Sequence, residues 1–478
     1  MAQKNKYAYL AKNTILFTIS SFGSKLLVFL LVPLYTSILS TEDYGIADLI
    51  TTTSTLLIYI LTINIADAVL RFTIERKDNQ EQYLNFGLIV LSISSCVLAV
   101  ALAIAQHFDI FSWPSYCYVF LFLEFFVLAL YQILSNFLRG IDEVKAVAIS
   151  GIITTVVTVF FNIILLVLMK CGVFGYLLSM VAGTLVSSIY CLIKIRNRIF
   201  LVFRNKCNKP EKRAMCRYSL PLIFNNVSWW MNTSLDKYFL TWMCGASVNG
   251  IYAVAQKIPT IISVFHSIFS QAWNLSAIKE FDKDDKDGFF ANTYSMYNAL
   301  LVLICSGLIL LNVPLAKILF AKDFFIAWKY SSVLLISIVF SSLGGFLGSI
   351  FTAVKDTKIF AVSTVVSAAI NCILNGAFIP IWGTMGAAVA TLISFCMIWI
   401  IRLICTKKYI IWRFNLLRDI VAYLLLIAQA VIEHIDGHCY EGQIVIFLFL
   451  MFWYRMHVKK GITLILSKTL KKKGEGTR

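Results

Sequence analysis

The chain has 478 residues, 59% of them apolar and only 14% charged, with a mean hydropathy of +0.80. A soluble protein of this length needs far more polar surface, so the composition points to a polytopic membrane protein. The net charge of +17 would suit a nucleic-acid partner, but the basic residues fall in alternating loops. The excess is therefore topological, and that partner is excluded.

A membrane span needs about 20 mostly apolar residues, because a helix rises about 1.5 Å per residue through a hydrocarbon core about 30 Å thick. In chain order, about 14 stretches meet that demand: 13–39, 46–70, 83–106, 111–138, 146–169, 173–195, 216–243, 247–274, 289–316, 328–352, 358–381, 384–404, 415–432 and 441–457. The last two are short and flanked by charge. MAQKNKYAYLAKN runs straight into the first span without a small-residue cleavage site, so no cleavable signal peptide is expected. The loops are too short to hold an extramembrane domain.

With the N-terminus inside, the outer segments hold only Lys170, Lys317, Lys322 and Lys329, while Lys25, Lys237 and Lys257 fall within spans. All other Lys and Arg lie on the inner side, which predicts both termini in the cytoplasm. The densest inner block, KIRNRIFLVFRNKCNKPEKRAMCR, joins spans six and seven. The tail KKGITLILSKTLKKK reads as a short basic amphipathic helix on the inner leaflet.

The two halves resemble each other. STEDYGIADL (40–49) matches ASVNGIYAV (246–254), GIDEVKAVAIS (140–150) matches AVKDTKIFAVS (353–363), and KCGVFGYLL (170–178) matches IWGTMGAAV (381–389). Three matches in the same order, at nearly constant offset, predict a duplicated six-span unit. Because six is even, both copies enter the membrane in the same direction, with a cleft between them as the natural place for a substrate. The predicted organisation is all-α: a six-helix lobe at 1–200, a basic cytoplasmic linker at 201–217, a second six-helix lobe at 218–408, and two extra helices with a basic tail at 409–478.

Ionisable residues within spans carry the sharpest signal, since each costs about 2.5–3.5 kcal/mol to insert and so faces a cavity or a partner. Lys25 stands near mid-membrane in span one, where SSFGSK (20–25) is followed by Pro33. Asp236, Lys237 and Lys257 lie nearer the outer ends of spans seven and eight. Lysines that shallow also have the option of snorkelling. Span seven is polar for most of its length, with Asn225, Asn226, Ser228, Asn232, Thr233 and Ser234 after Pro221. One or two such residues are helix-to-helix glue, whereas a run of six suggests water or a polar ligand. Glu124, inside FLFLEFFVLAL, either pairs with a lysine or carries a proton. Asp67 and Arg71, four apart at the inner end of span two, read as an interfacial helix pair.

Other signals are weaker. His434, Asp436, His438 and Glu441 in EHIDGHCYEG could hold a metal but read as a polar turn between spans. DKDDKD (282–287) lacks the Gly and terminal Glu of a calcium loop and reads as a solvated charge run. The 12 cysteines show no zinc spacing, and Cys96, Cys305 and Cys396 sit in apolar runs as small hydrophobes. No Walker motif is present.

Taken together, LSTEDYGIADL, LRGIDEVKAVA, FTAVKDTKIFAVS, GVFGYLLSMVAG, GTMGAAVATLIS and above all SLDKYFLTWMCGASVNGIYAVAQKIP resemble the polysaccharide repeat-unit (Wzx-type) flippases. These belong to the superfamily that also holds the multidrug MATE exporters and the lipid II flippases. The resemblance covers essentially the whole chain, and the order of the motifs carries it. Lys237 stands where the family pattern usually has Arg, which keeps the charge but loses the bidentate fork.

The resemblance implies translocation of undecaprenyl-diphosphate-linked oligosaccharides, precursors of O-antigen, capsule or exopolysaccharide, across the cytoplasmic (inner) membrane by alternating access. It implies no cofactor, but coupling to a proton or sodium gradient, and a polysaccharide polymerase with chain-length machinery as partners. Lys25, Lys237 and Lys257 are then candidates to attract the diphosphate, and Asn225, Asn226 and Asn232 to meet sugar hydroxyls. Asp236 and Glu124 are candidates for ion coupling, and Asp67, Arg71 and Arg139 for a cytoplasmic-side gate. A small-molecule exporter on the same architecture is the main alternative, although the cationic positions favour an anionic cargo. A membrane glycan polymerase or ligase is the remote one, since such enzymes usually need a sizeable outer loop.

Overall fold

The computed structural model describes residues 29–109, 113–205, 207–279, 281–282, 285, 288–435 and 440–456. Lys25 and the basic C-terminal tail lie outside them. Every regular element among the described residues is helical. Nine helices among them are long and apolar enough to cross a membrane, so the chain is a multi-pass membrane protein. Helices also form at the other expected spans as far as they are described, where polarity or a break in the helix keeps them below that mark; residues 13–28 of the first expected span lie outside the described residues. The expected count of 14 is therefore not reproduced on this measure.

Chain contacts define two compact units, Met1–Gly250 and Ile251–Arg478. In the first, α1 (Val32–Ile38) leads into α2 (Thr41–Leu61). Ser40 caps α2, its hydroxyl accepting the Asp43 N–H at 3.1 Å, and the acidic first turn suits the helix N-terminus. The second span breaks at Thr62–Asn64, where Ile63 and Asn64 take positive φ, and resumes as α3 (Ile65–Glu75). Then come α4 (Glu81–His107), α5 (Ser115–Gly140), α6 (Val144–Asn162, extended by a π-turn at Ile163–Leu168), α7 (Gly172–Lys194), α8 (Arg196–Arg204) and α9 (Lys209–Cys244). Ile93, Val97, Val100 and Ile104 form an exposed apolar stripe on α4, the surface expected of a lipid-facing helix. The chain continues as α10 (Ala246–Ala255), whose fifth residue, Gly250, closes the first unit.

The second unit holds α11 (Thr260–Lys279), α12 (Phe289–Leu310), α13 (Asn312–Leu319), a 3-10 turn (Lys322–Ala327), α14 (Trp328–Ala353), α15 (Thr357–Trp382), α16 (Thr384–Thr406), α17 (Leu416–Ile435) and α18 (440–456). Asp285, read from sequence as part of a solvated run, is buried. Its carboxylate caps α12 by accepting the N–H groups of Phe290 at 2.9 Å and Ala291 at 3.0 Å.

Each unit is organised around one central helix. In the first, α5 packs on α2, α3, α4 and α7; in the second, α14 packs on α11, α12, α16 and α17. The matched sequence stretches also share their local geometry. Asp142 (φ 64) and Lys355 (φ 60) both close a helix in the left-handed region. Glu143 N–H bonds Leu138 O at 2.8 Å, and Asp356 N–H bonds Phe351 O at 2.9 Å. Both are the six-to-one bond of a Schellman turn.

Arg402 departs from the sequence reading, which placed it on the inner flank. On α16 it is 1% exposed. Its guanidinium donates to Gly344 O at 2.8 Å, Ser363 Oγ at 2.9 Å and Thr364 Oγ1 at 2.9 Å, and lies over the Phe360 ring at 4.3 Å. It thereby ties α16 to α14 and α15. Arg402→Met removes these bonds at once, and a loss of about 3 kcal/mol is expected. Thermal unfolding in detergent measures it, and an unchanged midpoint would show that Arg402 does not hold these helices.

Candidate functional site

The first unit contains a cavity of about 380 Å³ between α2 and α9. Asp48, Thr51, Thr52, Thr55 and Tyr59 line it from α2, and Trp229, Trp230, Thr233, Ser234 and Lys237 line it from α9. Spacings of three and four place each set on one helical face. The polar face explains why α2, with a mean hydropathy of 1.4, is the least apolar of the nine candidate spans.

At one end of the cavity, Lys237 Nζ lies 3.0 Å from Asp48 Oδ1 and 2.9 Å from Oδ2. The two side chains are 10% and 13% exposed. A pair so withdrawn from water interacts strongly, and removing either partner strands the other charge. Asp236 is buried and accepts the backbone N–H of Lys237 at 3.0 Å.

Neighbouring contacts fix the two walls. The Trp230 indole N–H donates to Thr52 O at 3.1 Å. The Tyr238 hydroxyl meets Thr53 Oγ1, and its ring stacks edge-on against Trp230 at 5.5 Å. Farther along, Arg71 lies 4.5 Å over the Tyr218 ring, and Arg76 pairs with Glu211. α9 is thus held to α2 and α3 along most of its length.

Where α2 begins, it meets the start of α10 at two glycines. A β-carbon on Gly45 would fall 2.0 Å from Ala246 O, and one on Gly250 would fall 1.9 Å from Thr41 O. The contact is reciprocal, since Gly45 aligns with Gly250 and Thr41 with Ala246 in the sequence repeat. Asn249 Nδ2 donates to Gly45 O at 3.0 Å, and the Thr41 and Ser247 hydroxyls lie 2.6 Å apart.

Of the residues singled out in sequence, Lys237 lines the cavity, whereas Asn225, Asn226 and Asn232 do not. Asn232 is buried and donates back to Ser228 O at 3.0 Å, and Asn225 Oδ1 is buried without a partner. Glu124 is buried on α5. Asp67 accepts from Asn64 Nδ2 at 2.7 Å, while Arg71 pairs with Glu75 at 2.7 Å. The expected Asp67–Arg71 pair is therefore replaced by two others, because the break at Asn64 supplies Asp67 with a closer donor. Arg139 is exposed in the last turn of α5. Lys257 belongs to the second unit, in the turn between α10 and α11, where its N–H bonds Val254 O at 2.9 Å. In EHIDGHCYEG, Glu433 is buried and His434 exposed, while residues 436–439 lie outside the described ones.

The sequence reading missed Asp48 and the threonine face. Both were visible as the hydroxyl run ITTTST, following an acid that sits three residues inside the predicted span.

The described residues form an all-helical, multi-pass fold with a polar, ion-paired cavity, and solved structures share that fold. The lipid II flippase MurJ in an inward closed conformation superposes with a TM-score of 0.68 at 15% identity, covering 93% of this chain and 100% of that one. An inward-facing multidrug resistance MATE family transporter gives 0.66 at 12%, covering 80% and 94%.

Residues 10–274 match the family described as polysaccharide biosynthesis protein, and the chain belongs to that family. The probable low-salt glycan biosynthesis flippase Agl15 of Haloferax volcanii is 25% identical over 228 residues, 46% of this chain and 46% of that protein, so the chain spans less than half the length of this relative. An uncharacterized membrane protein of Methanocaldococcus jannaschii is 23% identical over 436 residues, covering 84% of this chain and 100% of its own.

Proposed function

We propose that this chain is a flippase, not an enzyme, and carries undecaprenyl-diphosphate-linked oligosaccharide repeat units across the cytoplasmic membrane by ion-coupled alternating access. The observation that carries the reading is the Asp48–Lys237 pair in a polar cavity of an apolar chain from a polysaccharide biosynthesis family. A diphosphate competes with Asp48 for the Lys237 ammonium through charge-assisted hydrogen bonds. Thr51, Thr55, Thr233 and Ser234 offer hydroxyls to sugars, and Trp229 and Trp230 offer flat apolar faces. The lipid tail stays in the bilayer throughout. Lys25 and Lys257 serve the same anionic headgroup, and Asp236 and Glu124 serve the driving ion.

Both termini lie in the cytoplasm on this reading. The exported units supply a polysaccharide polymerase and its chain-length machinery. The test deletes the gene and follows lipid-linked oligosaccharides in inverted and right-side-out vesicles. Build-up facing the cytoplasm is the expected result. Normal translocation with altered drug tolerance would overturn it in favour of a small-molecule exporter.

A further inference from the structure

The second unit buries a carboxylate that the cavity does not use. Glu433, near the end of α17, is 1% exposed, and among the described residues its partners are polar but uncharged. Asn312 Nδ2 on α13 donates to Glu433 Oε1 at 2.9 Å, and the Ser332 hydroxyl on α14 donates to Oε2. Asn312 is 0% exposed and Ser332 is 2% exposed. The Asn312 amide also bonds Trp328 O at 2.8 Å, and its Oδ1 has no partner.

Among the described residues, the charged groups on the surrounding elements are not within bonding distance of Glu433. Lys317 on α13, Asp323 and Lys322 on the 3-10 turn, His434 on α17 and Glu441 on α18 are exposed. The Lys329 ammonium on α14 lies 5.9 Å over its own Trp328 ring. A carboxylate at the C-terminal end of a helix also meets the negative pole of the helix dipole. Burial and dipole both oppose its charge, and a bound cation answers both.

Glu433 further terminates a buried polar column shared by α17, α12 and α18. Tyr454 donates to Asp419 Oδ1 at 3.0 Å, Tyr423 donates to Asn298 Oδ1 at 2.8 Å, and Gln429 and Ser306 exchange bonds of 3.0 and 2.7 Å. From Asp419 to Glu433 the helix rises about 21 Å, most of the thickness of a bilayer core.

We propose that Glu433, Asn312 and Ser332 form a monovalent-cation site, filled by a proton or by Na+. A half-turn of the Asn312 carboxamide exchanges its donor for the unpartnered oxygen, so the same side chain bonds the empty carboxylate and receives the cation. Use of the site to drive transport rests on the flippase reading; its occupation by a cation does not.

The test uses the full-length protein in lipid nanodiscs, as wild type, Glu433→Gln and Ser332→Ala. Radioactive sodium binding, against choline at constant ionic strength, reads the Na+ arm. The infrared carbonyl band of a protonated carboxyl, titrated with pH, reads the proton arm. One of the two signals is expected in wild type and lost in Glu433→Gln. Ser332→Ala should weaken it by about tenfold, and it carries the test alone where Glu433→Gln does not fold. Absence of both signals in wild type, or their survival unchanged in the variants, overturns the site. Binding is read without any glycan present. A protein that binds the cation yet moves no lipid-linked oligosaccharide therefore overturns the flippase reading and leaves the site standing.

Discussion

Neutralising Asp48 alone is expected to damage the protein more than neutralising Asp48 and Lys237 together. Asp48→Asn leaves an ammonium in a cavity where it is 10% exposed, and Lys237→Ala leaves the carboxylate. Each single change should cost about 3–5 kcal/mol, because the stranded charge keeps its desolvation penalty and loses its partner. The double variant Asp48→Asn with Lys237→Met removes both charges and should recover stability to within about 1 kcal/mol. Translocation should stay at background in Lys237→Ala and in the double variant, since neither retains a cation for the diphosphate. Lys237→Arg, which keeps the positive charge, should keep both stability and transport. The two readouts separate the roles: a double variant that transports normally would reduce the pair to a structural bridge.

A cross-link where α2 meets α10 should stop transport. Thr41→Cys with Ser247→Cys places two thiols where the native hydroxyls lie 2.6 Å apart. It needs a background without the native thiols, since Cys96 and Cys244 are exposed and would compete for the oxidant. On the proposed alternating-access reading, with this contact opening once per cycle, oxidation should then drop translocation to background, and a reductant should restore it. Gly45→Val tests the same contact in the opposite sense. Its side chain would enter the space of the Ala246 carbonyl, and overpacking of that kind costs about 3 kcal/mol. Undiminished flux through the oxidised pair would show that this contact stays closed throughout the cycle.

The all-helical membrane class was legible because a span must be apolar for its whole length, and hydropathy integrates over that length. The same averaging hid the break at Thr62–Asn64, where three residues of turn sit between two apolar helices. Lys237 was legible as a charge within an apolar run. Its partner was not, because Asp48 stands in the third turn of a helix that opens with Glu42 and Asp43, and it reads there as one more acid suited to a helix N-terminus. The two residues are 189 apart in sequence, and only the packing of α9 on α2 joins them. Asn232 shows what sequence does not display: one N–H of its amide donates to a carbonyl one turn back. Glu433 was quoted within a polar turn, yet it lies inside the helix, and its surroundings come from helices more than 100 residues earlier.

The reciprocal glycine contact bears on ancestry. Duplicated segments usually diverge independently, but Gly45 and Gly250 each occupy a space that the other's neighbours close. In a half-length ancestor pairing with a second copy of itself, one glycine near a two-fold axis would have served both sides, as self-complementary dimer interfaces require. Fusion of such halves would turn that single requirement into two, and in this chain a side chain at either glycine would still meet a carbonyl oxygen of the other's segment.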